Sequence, residues 1–260
     1  MGDYVLFGTY HRSTGQVMSG GAAVTIYNRS YVTDYFSAAG VRAVFDFWDE
    51  HILDKEMLKL LKQNGKLGTS IFEDSIEISR SGPLWTPDLL REFSRTSGSG
   101  TARYAPVLAL ADADRFDDGD LAARIVEDYN LTLGALYEDR HAARISDWAA
   151  AFGYTYRAQA YRLPGLDFAG AAAAVDIPEG DNSTSGDGLR NLAAAVNLTG
   201  GKLLSMETTT FAADMHSTWK HIAKEVNGDL SHGVNRSISM VRRSPVPSTD
   251  TRASGRAGTS

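Results

Sequence analysis

Three glutamates stand where strands are expected to end: Glu77, Glu179 and Glu207. The first belongs to Ile71-Phe-Glu-Asp-Ser-Ile-Glu-Ile-Ser79, where Ile71, Phe72, Ile76 and Ile78 are interleaved with Glu73, Asp74 and Glu77. The stretch reads as a strand running into a loop. A strand normally packs one face into a core, and a charge buried there is costly unless it is paired or functional. An edge strand with solvated acids is the plain alternative. Glu207 follows Leu203-Leu-Ser-Met206, a segment too apolar to end casually in an acid. A glutamate in an exposed loop is its competing reading. Glu179 follows Pro178 in what reads as a turn, and turn acids are usually solvated.

Acids at strand ends are what cleavage of a glycosidic bond needs. One carboxyl donates a proton to the leaving oxygen, and the other activates a water or attacks the sugar. Their surroundings must keep one protonated and the other ionised. Glu77 and Glu207 have the right chemistry on different strands, and either order of acid and base meets the requirement. Trp85, Tyr161 and Trp219 could stack on sugar faces, although a helical tryptophan such as Trp219 is more often core. Arg157 and Gln159 could donate to sugar hydroxyls or simply line a polar interior. Asp49-Glu-His51 and His216 could hold a metal, but a His near acids is more often a surface hydrogen-bonding residue. The sequence has no His-Glu-x-x-His motif, no cysteine and no Gly-x-Ser-x-Gly elbow, which removes the common zinc and serine-hydrolase signatures.

The elements that must position these residues follow from patterning. Residues 4–10 and 23–27 read as strands, residues 30–53 and 55–63 as helices, with Asp34 near the start of the first. Thr86 is the expected N-cap and Pro87 the expected N1 residue of a helix over 88–93, followed by a Gly/Ser/Thr-rich loop over 94–102. Residues 118–152 carry the longest helical pattern. Leu121, Ile125, Tyr129, Leu133 and Leu136 form one stripe, and Ile145, Trp148 and Phe152 extend it to a stop at Gly153. Residues 154–161 alternate as a strand, with Arg157, Gln159 and Tyr161 on one face and Tyr156, Ala158 and Ala160 on the other. A helix over 189–198, a strand over 202–207, a helix over 217–226 capped by Ser217 and a strand over 234–240 complete the pattern. Such alternation predicts an α/β fold with a parallel sheet, either a barrel or an open sheet.

The bulk properties exclude several classes. The 260 residues are 43% apolar and 22% charged, ordinary for a globular chain. A net charge of −6 argues against a general nucleic-acid binder, which needs a basic face. No apolar run is long enough to span a bilayer, so no membrane partner is expected. The N-terminus shows no basic segment followed by an apolar one, as a secretory signal would. Asn-x-Ser/Thr triplets at Asn28, Asn130, Asn182, Asn197 and Asn235 are common by chance and leave localisation open. The chain would be extracellular if a longer form carried a signal peptide. No dinucleotide fingerprint, P-loop or internal repeat is visible.

Seven segments, in order, resemble one family. They are Thr14-Gly-Gln-Val-Met-Ser-Gly-Gly-Ala22, Phe45-Asp-Phe-Trp-Asp-Glu-His-Ile-Leu53, Phe72-Glu-Asp-Ser-Ile-Glu77, Leu84-Trp-Thr-Pro-Asp-Leu-Leu90, Tyr156-Arg-Ala-Gln-Ala-Tyr161, Val175-Asp-Ile-Pro-Glu-Gly180 and Leu204-Ser-Met-Glu207. The family is glycoside hydrolase family 106, the α-L-rhamnosidases. The resemblance implies a (β/α)-barrel catalytic domain, an inverting mechanism, a bound calcium ion and hydrolysis of terminal α-L-rhamnose from plant polysaccharides or glycosides. It implies Glu77 and Glu207 as the catalytic pair, and Glu179 as a third acid supporting the site or the metal. Family members are much longer, which makes residues 1–240 an incomplete barrel by this comparison. A catalytically inactive sugar-binding remnant is the alternative. Residues 241–260 have almost nothing to bury and are expected to be disordered. Codons exist for Ser254-Gly-Arg-Ala-Gly-Thr-Ser260 that would read in another frame as Trp-Pro-Gly-Trp-Asp, a segment like one the family carries there, so by the resemblance a frameshift near Asn235 is expected.

Overall fold

The computed structural model describes residues 6–10, 12–13, 15–16, 31–65, 68–76, 78, 82–98, 101–116, 119–161, 166–208 and 218–239. Glu77, His216, Ser217, the strand expected over 23–27 and the tail after Ser239 therefore lie outside the described residues. Residues 6–10 carry no strand, contrary to the expectation, and Leu6 and Tyr10 are exposed.

Five short strands form one parallel sheet in sequence order: β1 (Ser70–Glu73), β2 (Thr155–Ala158), β3 (Ile177–Gly180), β4 (Ser205–Thr208) and β5 (Arg236–Ser239). Parallel neighbours need crossover connections, and these are nearly always right-handed. Crossovers of one hand between strands laid down in order place every crossover helix on the same side. A doubly wound sheet would require the order to reverse. The arrangement is a mixed α/β half-barrel wall, consistent with an incomplete barrel.

The helices are α1 (Ala38–His51), α2 (Lys55–Gly65), α3 (Leu89–Ser97), α4 (Ala105–Leu110), α5 (Gly119–Tyr137), α6 (Ala143–Ala150), α7 (Phe168–Ala173), α8 (Gly186–Leu198) and α9 (Trp219–Ser231). Helix α1 starts later than its apolar pattern suggests. Asp34 Oδ1 accepts from the Phe36 N–H at 2.9 Å, forming an Asx turn that competes with helix. Ser37 then caps, accepting from the Gly40 N–H at 3.0 Å. Gly40 is required there, because an added Cβ would lie 2.0 Å from the Asp34 carbonyl oxygen.

Two further expected caps are corrected. The Thr86 hydroxyl donates to Asp34 Oδ2 at 2.8 Å instead of capping α3, and α3 runs on to Ser97 through the supposed loop. Helix α9 is capped by Thr218, whose side chain accepts from the His221 N–H. Trp219 opens that helix at 84% exposure, so it is not core.

The long helical pattern after residue 118 is interrupted by a π-helical turn, Glu138–Ala142, between α5 and α6. The extra residue rotates the following side chains relative to α5. The α5 stripe is buried as expected at Ile125, Tyr129, Leu133 and Leu136. With Tyr137, Ile145, Ala149, Tyr156 and Ala158 it builds the main core between helices and sheet. Each such large apolar side chain contributes about 1.5–3 kcal/mol on burial. A second cluster, including Leu189, Leu192, Val196, Leu204, Met206 and Val234, seals α8 against β4 and the start of β5. Gly153 ends α6 with a left-handed φ of 78°, as expected of a helix C′ residue.

Candidate active site on the inner face of the sheet

Register decides which side chains share the face away from the helices. Phe72 pairs with Arg157, Arg157 with Ile177, and Glu179 with Ser205. Glu207 pairs with Ile238. Side chains alternate along a strand, so Phe72, Arg157, Glu179, Ser205 and Glu207 point inward. Tyr156, Ala158 and Met206 point to the helices, as their membership of the two cores shows. The expected alternation of Arg157 and Gln159 against Tyr156 and Ala158 holds. The strand, however, ends at Ala158, short of residue 161. Beyond it the Gln159 N–H still donates to the Glu73 carbonyl at 3.1 Å, and the Tyr161 N–H turns back to the Gln159 carbonyl at 2.8 Å.

Glu179 overturns its reading as a solvated turn acid. It lies within β3 and is 1% exposed. Proline is rare inside strands, which is why Pro178 suggested a turn. The buried charge is compensated on both oxygens. Arg157 Nη1 and the Ser205 hydroxyl donate to Oε2, and Gln159 Nε2 donates to Oε1 at 3.3 Å. The guanidinium of Arg157 also lies 4.0 Å from the centre of the Phe72 ring, in cation–π contact.

Glu207 is partly exposed on β4 and accepts from Gln159 Nε2 at 2.8 Å. Gln159 thus spans two carboxylates, while its own Oε1 accepts from the Tyr161 hydroxyl at 3.0 Å. The structure therefore brings together Glu207, Glu179, Arg157, Gln159 and Tyr161. Trp85 lies elsewhere, partly buried against the main core.

A second polar cluster, on the helix side of β1, was not anticipated. Glu73 accepts from the Tyr156 hydroxyl, and His141 Nε2 lies 3.0 Å from each Glu73 oxygen. Tyr35 and Tyr137 pack their rings against His141. Burial, then the Glu73 charge, pushes the Tyr35 hydroxyl up to about 12. Burial raises Tyr137 and Tyr156 well above the ordinary phenol value, so the Tyr156 proton stays available to Glu73. The clue in the sequence was Glu73 itself, an acid in an otherwise apolar strand. Its histidine partner depends on the π turn.

Calcium takes six to eight oxygen ligands. Among the described residues no group of three His, Cys, Asp or Glu side chains could hold a metal ion. Glu179, the acid implied for that role, already has its charge answered by Arg157. His51 and Glu50 sit exposed on α1 with 3.8 Å between Nε2 and Oε2.

The fold and site define an α/β half-barrel with carboxylates on the inner face near the strands' C-terminal ends, where barrel enzymes place their chemistry. Among solved structures the chain is similar to a rhamnosidase from Novosphingobium sp. PP1Y, with a TM-score of 0.63 over 87% of this chain and 19% identity. The match spans 22% of that chain's length. At this identity the likeness speaks for the fold. No protein-family model and no curated protein matches the sequence. Among the described residues no helix is long and apolar enough to cross a membrane.

Proposed function

We propose that the chain carries part of a glycoside hydrolase of the family 106 type, built on a (β/α)-barrel, that cleaves terminal α-L-rhamnosyl linkages of plant polysaccharides or glycosides. The observation that carries this reading is Glu207, held by the Gln159 amide on the inner face beside the charge-compensated Glu179. In the proposed single displacement one carboxyl of the pair Glu207 and Glu77 takes a proton from water as its oxygen attacks the anomeric carbon. The bond to the leaving oxygen breaks, and the other carboxyl protonates that oxygen. Inversion requires the two carboxyl groups to stand about 6.5–9.5 Å apart. Glu179, tied to Arg157 and Ser205, supports the wall beneath them. Arg157 stays in the proposal as a donor at the margin of the site.

A second reading has its own support. Among the described residues β1 and β5 each pair on one side only, leaving the wall open at both edges. A sugar-binding remnant without turnover fits such a half-barrel. The test is rhamnose release from an aryl α-L-rhamnoside, with and without added calcium, by this chain and by Glu207→Gln. Release by the parent that disappears in the variant supports the hydrolase. A folded parent that releases nothing, yet is protected by rhamnose against heat, supports the remnant. Neither release nor protection overturns both.

A further inference from the structure

We propose that Gln159 is a positioning residue that holds the Glu207 and Glu179 carboxylates in fixed relation, and that Tyr161 sets the direction its amide faces. The consequence for catalysis rests on the hydrolase reading above, whereas the positioning itself does not. Gln159 is 1% exposed and Tyr161 is also buried. A primary amide offers two N–H donors at one end and an acceptor oxygen at the other. Here Nε2 donates to Glu207 Oε2 at 2.8 Å and to Glu179 Oε1 at 3.3 Å, while Oε1 accepts from the Tyr161 hydroxyl at 3.0 Å. Rotating the amide by half a turn would set its oxygen against two carboxylates and its N–H groups against a phenol. A buried polar group in that position costs the full desolvation of the lost bonds. One orientation is therefore selected.

The backbone reinforces the selection. Gln159 is tied to Glu73 on β1 through its N–H, and Tyr161 turns back onto the Gln159 carbonyl. The Tyr161 ring lies 5.7 Å from that of Phe168 at the start of α7, which fixes where its hydroxyl sits. Strands β1, β3 and β4 and helix α7 thus converge on Gln159 and its partner Tyr161. A side chain so occupied has both hydrogens committed to protein carboxylates. This assigns Gln159 and Tyr161 to holding Glu207 rather than to contacting sugar.

The test reads the side-chain amide protons of Gln159 by 1H–15N correlation in the full chain, assigned by their loss in Gln159→Leu. In Tyr161→Phe, which keeps ring and volume, both protons are expected to move toward free-glutamine positions and to exchange about fivefold faster. In Glu207→Gln one of the two is expected to shift. Unchanged amide protons in Tyr161→Phe, or in Glu207→Gln, overturn the proposal, whereas a merely lower melting temperature would leave these signals in place. Where the parent releases rhamnose, Tyr161→Phe is expected to lower kcat about tenfold with KM nearly constant. A change confined to KM overturns the proposal by placing Tyr161 on the sugar. A parent without turnover counts against the hydrolase reading alone, and the amide protons still decide this one.

Discussion

His141 Nε2 lies 3.0 Å from both carboxylate oxygens of Glu73, across 68 residues of chain. The pair joins the π turn after α5 to the last residue of β1, with His141 almost fully buried and Glu73 about a quarter exposed. Hydrogen bonds to charged groups contribute about 1.5–3 kcal/mol, so His141→Leu should destabilise the fold by about 2 kcal/mol. The Tyr156 hydroxyl still donates to Glu73 in that variant, which limits the loss. Urea unfolding of the parent, His141→Leu, Glu73→Gln and the double variant gives the coupling directly. Strictly additive losses would show that the contact contributes nothing.

Arg157 and Glu179 form a pair of another kind, because Glu179 has no exposure to spare. Removing one partner of a buried ion pair leaves an uncompensated charge and costs about 3–5 kcal/mol. Arg157→Met is expected at the lower end of that range, since Ser205 and Gln159 still donate to the carboxylate. Adding Glu179→Gln should restore much of the loss by removing the stranded charge. Denaturant midpoints at constant m-value measure this. A double variant no more stable than Arg157→Met would refute the charge argument.

What could be read from the sequence follows from how local each signal is. The α5 stripe was legible because Ile125, Tyr129, Leu133 and Leu136 repeat at the helical period, and the two faces of β2 because strand side chains alternate. Glu179 was misread because Pro178 imitates a turn, and nothing nearby announces that Arg157 will answer its charge. His141 was invisible for a related reason. It sits inside a strong helical pattern, and only an inserted π residue turns it toward β1. The end of β2 was placed too late because Gln159 and Tyr161 leave the ladder for side-chain and turn bonds. Contacts between distant segments leave no periodic trace.

Gly65 tests how closely α2 must approach the end of α6. A Cβ there would lie 2.3 Å from the Phe152 carbonyl oxygen and 3.0 Å from the Gly153 carbonyl carbon, both backbone atoms that cannot rotate away. Gly65→Ala should therefore cost about 1–3 kcal/mol. For a chain of this size that is a fall of about 2–4 °C in Tm per kcal/mol. Gly228, inside α9, is the control, because its Cβ would meet nothing within 4 Å. Gly228→Ala should raise stability by about 0.5–1 kcal/mol. Equal effects at the two positions would contradict the packing argument.

Glu138, in the same π turn as His141, makes the pH dependence asymmetric. Burial, followed by the like charge of Asp167, raises its carboxyl above the usual 4.5. Asp167 is itself committed, accepting from the Ala169 N–H at 3.0 Å as the cap of α7. A raised folded-state value means that the native chain binds more protons than the unfolded chain between the two values. Stability from this group is then full below about 4.5 and falls as pH rises through the folded value. Glu138→Gln removes the charge without changing shape, so it should gain stability over the parent near pH 7 and lose that gain near pH 4. Melting temperatures of both proteins across that range provide the check. A difference independent of pH would show that Glu138 acts through packing against Gly170, where its Oε1 already lies close, and not through its charge.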